Sequence, residues 1–375
     1  MFTASKEKDG FLSRRIEERR NQHALRVLSL SDPGLTDFCS NDYLGMVHNG
    51  LLLSSSEAIL RHGSTGARSL TGQYKLMLQA EDLIADFHEV EAALLFNSGY
   101  VANLGLISAV AGRGDTVIYD QLIHASIRDG IRLSRAESFS FPHNQTAELE
   151  KKILHAKEMG QVFVVTESVF SMDGDIAPLE ELAAITARTD AHLIVDEAHA
   201  TGIYGEKGEG LVQQLGLASR CFARVYTFGK AMGCHGAVVL GTATLKTFLV
   251  NFSRPFTYTT SLPETSVAAI IRAYRKVPEL SAERGRLQDL ISRFIKAGIP
   301  KRMEKAVTAI QPILIEGNTR VRAASEQLKQ AGIDIRPVLY PSVPKGQERL
   351  RVVLHSYNTD PEMDQLLHSL PKLIY

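Results

Sequence analysis

The sequence predicts an α/β protein: a mainly parallel central sheet with helices on both faces, followed by a smaller C-terminal α+β domain. Three observations carry this expectation. Short runs rich in β-branched residues recur between Gly63 and Gly241, and their apolar positions are consecutive, so each strand is buried on both faces. Helical stretches such as "PLEELAAITART" separate the runs, as parallel neighbours need a crossover. After Pro263 the pattern changes to two long helices, then strands and helices in alternation.

Taken in order, Phe11 to Leu28 carry apolar positions at helical spacing among many arginines, which predicts a surface helix within an N-terminal arm over residues 1–50. Arg14, Arg15, Arg19 and Arg20 read as its solvated face, with contact to an anionic substrate as the alternative for some of them. A large domain over 51–263 follows, with strands at "ALLF", "TVIYD", "QVFVVTE", "HLIVDE", "RVYTF" and "GAVVLG". The small domain over 264–375 has strands at "AIQPILIEG" and "RLRVVLHSY" and a final helix. Ligands of such sheets bind outside the carboxyl ends of the strands, so the polar residues there are the functional candidates.

Composition excludes several classes. Lys and Arg number 42 and Asp and Glu number 42, a balance that supplies no broad basic field to gather nucleic acid. Cys39, Cys221 and Cys234 are too few and too far apart for a disulfide framework, and no metal site is suggested, so a reducing, cytoplasmic setting is expected. The N-terminus lacks the apolar core of a signal peptide and no apolar run reaches membrane-span length, so a soluble protein is expected. The letters D-E-A-H in "LIVDEAHATG" are a signature of nucleic-acid-dependent ATPases, but such an enzyme also needs a phosphate loop of the form GxxxxGK[ST]. The "GK" of "TFGKAMG" is followed by Ala231 and lacks the upstream glycine, so the ATPase reading fails.

What remains is a set of polar residues at several strand ends. Lys230 follows the strand "RVYTF", where desolvation can lower its pKa and make the amine nucleophilic; on this segment alone it fits a surface loop lysine equally well. Asp196 at the end of "HLIVDE" changes the balance, since an acid is what a pyridine nitrogen needs to stay protonated. At an effective dielectric near 20 such a pair is worth about 4 kcal/mol at ~4 Å. Pyridoxal 5′-phosphate (PLP) requires both a Schiff-base lysine and an acidic ring partner. For the phosphate, "LLFNSGYVANLG" offers Ser98 and Gly99 before a helix opening near Tyr100, although an ordinary strand-to-helix turn has the same form. Thr227 adds a hydroxyl. An imidazole at His124, after "TVIYD", could stack on the ring, although a loop histidine alone is more often merely exposed, and His199, three residues past Asp196, and Ser171 could bond the phenolic oxygen.

These residues sit in stretches that resemble the α-oxoamine synthases, PLP enzymes of the aspartate aminotransferase-like fold (fold type I). The matching segments are "SNDYLG", "LLFNSGYVAN", "HASIRDG", "VTESVFSMDGD", "VDEAHATGIYGEKGEG", "TFGKAMGCHGA", "SRPFTYTTSLP" and "VPKGQERLR", in order along nearly the whole chain. The resemblance implies that Lys230 forms the Schiff base with the cofactor, Asp196 pairs with the pyridinium and His124 stacks on the ring. It implies that His199 and Ser171 address the phenolic oxygen, and that Gly99, Tyr100 and Thr227 hold the phosphate. Asn41 and Arg351 would lie near the substrate carboxylate, which suits the bidentate fork of an arginine. Thr259 and Thr260 would reach the phosphate from the other subunit of a homodimer with shared active sites.

The activity implied is the decarboxylative condensation of an amino acid with an acyl thioester. Within the family, the compact length and "SRPFTYTTSLP" look most like the members that join L-alanine to a pimeloyl thioester, on coenzyme A or acyl carrier protein, in biotin synthesis, and the resemblance implies those substrates here. Sister enzymes pair glycine with acetyl-CoA or succinyl-CoA, or serine with palmitoyl-CoA. A binding protein that kept the fold and lost the activity is the alternative of a different class, and it sits poorly with every chemical position being filled. Met77 and Asn358 stand where the family often has histidine.

Overall fold

The computed structural model describes residues 9–28, 30, 32–53, 60–156 and 160–374. It divides into two compact units, one of Asn41–Ser171 and Asp175–Leu287, the other of Met1–Ser40, Met172–Gly174 and Gln288–Tyr375. Sequence placed the domain limits at 50 and 263 instead. The large unit extends past 263 because helix Glu264–Lys276 packs on helix Lys75–Phe87, through buried residues such as Val267, Ile270, Met77 and Ile84.

The large unit is built on seven strands: β1 (Ala92–Phe96), β2 (Thr116–Asp120), β3 (Glu137–Phe141), β4 (Val162–Glu167), β5 (His192–Asp196), β6 (Ala223–Thr227) and β7 (Ala237–Gly241). Their spatial order is β1-β7-β6-β5-β4-β2-β3. Pairing is antiparallel on both sides of β7 and parallel elsewhere, so β7 alone runs against the others. The carboxyl ends of β1, β2, β4, β5 and β6 therefore share one edge of the sheet.

Consecutive apolar residues in the strands do what burial on two faces requires. Val117, Val165, Ile194 and Val225 join Leu106, Ile107, Ile127 and Ile131 in one core layer. Their neighbours Ile118, Val164, Leu193 and Val195 join Ile153, Leu182 and Val212 in the other. Each such side chain contributes about 1.5–3 kcal/mol by leaving water. Strand β3 was not among the sequence expectations: four of its five residues are exposed, so "ESFSF" lacks the apolar run by which its neighbours are read.

In the small unit, Ile310–Leu314, Pro337–Val338 and Arg349–Val353 form an antiparallel three-stranded sheet, with helices Asn318–Gln330 and Asp360–Ile374 after the first and last of its longer strands. Thr36–Asp37 pairs in parallel with Ile333–Asp334. The N-terminal helix spans Gly10–Asn21 and buries no residue. The expected continuation to Leu28 is broken at His23, whose φ of 52° turns the chain out of the helix. Among the described residues no helix is long and apolar enough to cross a membrane.

Candidate active site

The shared strand edge of the large unit gathers most of the residues singled out in the sequence. Asp196 ends β5 and is buried; its Oδ1 accepts the Ala198 N–H at 2.9 Å and its Oδ2 accepts Asn103 Nδ2–H at 2.7 Å. Lys230 lies in the loop after β6, and its Nζ is 2.8 Å from His199 Nε2. The other ring nitrogen, Nδ1, is 2.7 Å from the hydroxyl of buried Tyr43, which donates to Asn41 Oδ1 at 3.1 Å. With the Tyr43 proton on Asn41, the imidazole Nδ1 donates to Tyr43, and Nε2 is left to accept from the lysine amine. One continuous hydrogen-bonded chain thus runs from Lys230 through His199 and Tyr43 to Asn41.

His124 opens helix Ala125–Ser134, and its Nδ1 accepts the Ser126 N–H at 3.2 Å as an N-cap. Burial lowers the His124 pKa; the Lys230 charge lowers it further, while Asp196 works in the opposite direction. Glu167, paired in register with Asp196 at the end of β4, is pushed up to about 8 by burial and then by the Asp196 charge, and its Oε1 is buried without a hydrogen-bond partner.

The turn after β1 has the form of an anion site. Ser98 caps helix Gly99–Val110, with its Oγ accepting the Val101 N–H at 3.3 Å. The first amides of a helix have no intrahelical acceptor, so the N–H groups of Gly99 and Tyr100 are available to a phosphate. Glycine at residue 99 permits a close approach, since a Cβ there would stand 3.1 Å from both Cβ and Oγ1 of Thr227. The same contact sets Thr227 at the end of β6 beside the helix N-terminus. Tyr100 is partly exposed and its hydroxyl donates to Asp129.

Other expected residues are placed as follows. Thr259 is half-buried and Thr260 exposed; the Thr260 carbonyl accepts Asn97 Nδ2–H at 2.9 Å within the same chain. Ser171 is half-buried in the loop after β4, whose base is a bridge between Val169 and Ile176. Arg351 lies in the small unit, on strand Arg349–Val353 opposite Pro312. Of the N-terminal arginines, Arg20 pairs with Glu17, and Arg19 lines a small-unit cleft of about 1200 Å³ with Arg26, Arg322 and Arg336. Met77 is buried in its helix, and Asn358 accepts the His355 N–H while donating to the Asp37 carbonyl.

Three polar residues of the edge had no role in the sequence reading: Tyr43, Asn103 and Ser126. All three are almost fully buried. Tyr43, Asn103 and Ser126 lie inside the matched segments "SNDYLG", "LLFNSGYVAN" and "HASIRDG", but no local pattern marks them out.

An amine, a buried carboxylate and an anion-ready helix N-terminus on one edge meet the needs of PLP. The model of the class I and II aminotransferases matches residues 33–370. The 8-amino-7-oxononanoate synthase of Marinobacter nauticus is 39% identical over 353 residues, covering 92% of this chain and 89% of its own length. That of Emericella nidulans is 36% identical over 384 residues, covering 95% and 93%. The chain belongs to the α-oxoamine synthases, within the class I and II aminotransferase family. A solved serine palmitoyltransferase from S. paucimobilis, holding a PLP–myriocin aldimine, superposes on this α-oxoamine synthase with a TM-score of 0.88 at 26% identity, over 98% of each chain. The synthase is a PLP-dependent acyltransferase of the fold type I class.

Proposed function

We propose that this synthase condenses L-alanine with a pimeloyl thioester, on coenzyme A or acyl carrier protein, to give 8-amino-7-oxononanoate, carbon dioxide and the free thiol. The observation that carries the reading is that relatives of that name match at 36% and 39% identity along nearly the full length. Bound PLP supplies an aldehyde for the amino acid and an electron-withdrawing ring that stabilises negative charge at Cα.

The protein's own residues take the following parts. Lys230 would hold the cofactor covalently, and its amine, when free, would be the base for the Cα proton of the bound amino acid. His199 accepts a hydrogen bond from the Lys230 amine, a contact that keeps the amine oriented within the edge. Asp196, fixed by Asn103 and the Ala198 N–H, holds a proton on the ring nitrogen. With Lys230 bound to the cofactor and no longer donating to His199, His199 and Ser171 would hold the phenolic oxygen, and His124 would lie against the ring. Ser98 fixes the helix whose Gly99 and Tyr100 amides, with Thr227, bind the phosphate. Thr259 and Thr260 complete that site across a homodimer. Asn41 and Arg351 bind the substrate carboxylate.

A second reading is favoured by one specific observation, the TM-score of 0.88 with a serine palmitoyltransferase: serine and a long acyl chain. Alanine and serine differ by one hydroxyl, which a pocket rejects weakly unless built to exclude it. Release of free thiol across alanine, glycine and serine, crossed with pimeloyl, acetyl, succinyl and palmitoyl thioesters, separates the readings. The highest kcat/KM is expected for alanine with the pimeloyl thioester; a maximum at serine with palmitoyl would replace the first reading by the second.

A further inference from the structure

The edge holds a second hydrogen-bonded chain, of which the roles above use only the Asn103–Asp196 bond. Asn103 Nδ2 is 2.7 Å from Asp196 Oδ2 and 3.1 Å from Ser126 Oγ, and Ser126 Oγ is 2.7 Å from His124 Nδ1. Asn103 is 3% exposed and Ser126 0%, so water does not compete for these bonds. The direction of each proton follows. A carboxylate oxygen beside Asn103 requires its nitrogen, not its carbonyl, to face Asp196, and the second amide proton then points to Ser126 Oγ. That hydroxyl receives one proton and directs its own to His124 Nδ1. The same Nδ1 also accepts the Ser126 backbone N–H at 3.2 Å.

We propose that Asn103 and Ser126 are positioning residues that lock His124 as the neutral tautomer with its proton on Nε2, so that the imidazole presents a donor, not an acceptor, beyond the relay. Two donors converge on Nδ1, and a proton there would expel the backbone N–H and force the Ser126 hydroxyl to reverse and accept from both Asn103 and the ring. Of the groups facing His124, burial and the Lys230 charge disfavour a second ring proton and together outweigh the Asp196 charge, which favours one, while burial pushes Glu167 up to about 8. Tyr100, 6.3 Å away edge-on, has its hydroxyl turned to Asp129.

The effect on turnover rests on the proposed reading of His124 and Asp196 as cofactor-facing groups; the tautomer does not, so the two fail separately. The test is ¹⁵N NMR of the holoenzyme labelled at histidine ring nitrogens, with His124 assigned among the 12 histidines by a His124→Gln variant. Wild type is expected to show His124 with an unprotonated Nδ1 and a protonated Nε2 across pH 6–8. Ser126→Ala keeps only the backbone donor, so mixed tautomers are expected, with kcat/KM falling about tenfold, the size of one misplaced hydrogen bond. Asn103→Ala should mix the tautomers as well. A proton on Nδ1 in wild type, or an unchanged single tautomer in Ser126→Ala, overturns the proposal. The predicted tautomer together with full activity in His124→Ala would uphold the lock and remove His124 from the reaction.

Discussion

Two histidines at the same sheet edge have opposite surroundings. His199 stands between Lys230 Nζ and the Tyr43 hydroxyl, a cation on one side and a neutral oxygen on the other. His143 stands between two carboxylates, with Nδ1 3.0 Å from Asp120 Oδ1 and Nε2 2.7 Å from Asp175 Oδ2. Burial alone would lower the His143 pKa, but hydrogen bonds and charge from Asp120 and Asp175 carry it up to about 9. Asn144 closes the cluster, donating from its backbone N–H to Asp120 and from Nδ2 to Asp175. His143 is thus a cationic pin joining the ends of β2 and β3 to the loop after β4, whereas His199 keeps a lone pair for a lysine. Partners, not residue type, separate the two histidines.

That contrast can be broken most forcibly at Lys230. Lys230→Ala removes the amine that His199 faces, and we expect turnover to fall roughly 10³-fold or more, with loss of the visible absorbance of bound cofactor. Matched substitutions at the histidines sharpen the comparison. His199→Gln should lower kcat/KM by roughly 10–100-fold while thermal unfolding shifts little, because Tyr43 retains Asn41 as a partner. His143→Gln should do the reverse: kcat/KM within about twofold, and a stability loss of about 2–3 kcal/mol in urea titration at neutral pH, from two buried carboxylates left without their cation.

The His143 loss should also depend on pH with a fixed sign. A histidine whose pKa is raised on folding stabilises fully below the unfolded value of about 6.5, and that contribution disappears as pH rises through about 9. Unfolding of wild type and His143→Gln should therefore differ most near pH 6 and converge above pH 9. The smallest effects compare two helix caps. Ser98 caps its helix at the site edge, and Thr242 Oγ1 accepts the Leu245 N–H at 3.1 Å after β7, the reversed strand, hence at the opposite edge. Either alanine variant should cost about 1 kcal/mol of stability. Only Ser98→Ala should weaken PLP affinity, measured by fluorescence titration of the cofactor-free protein.

The same contrast explains what the sequence could reveal. Six of the seven strands are apolar on consecutive positions, and a doubly buried strand shows itself that way. Strand β3, exposed along four of its five residues, carries no such mark. Lys230, Asp196, His124 and His199 could be singled out as candidates because each ends or follows a recognisable strand and has a chemical type that the cofactor demands. Tyr43, Asn103 and Ser126 were not, since nothing local distinguishes them from satisfied core residues until folding brings Tyr43 to His199 and Asn103 to Asp196. His143 carries the converse lesson. It has the residue type of a catalytic group, and only Asp120 and Asp175, far apart in sequence, show it to be a pin.

The central claim is that Lys230, held against His199 at the end of β6, is the residue to which PLP binds covalently. Borohydride reduction of the holoenzyme followed by peptide mass spectrometry tests it directly. The account predicts a pyridoxyl phosphate mass on the peptide containing Lys230 and on no other. A cofactor mass on a different lysine, or none in a fully loaded enzyme, would contradict it.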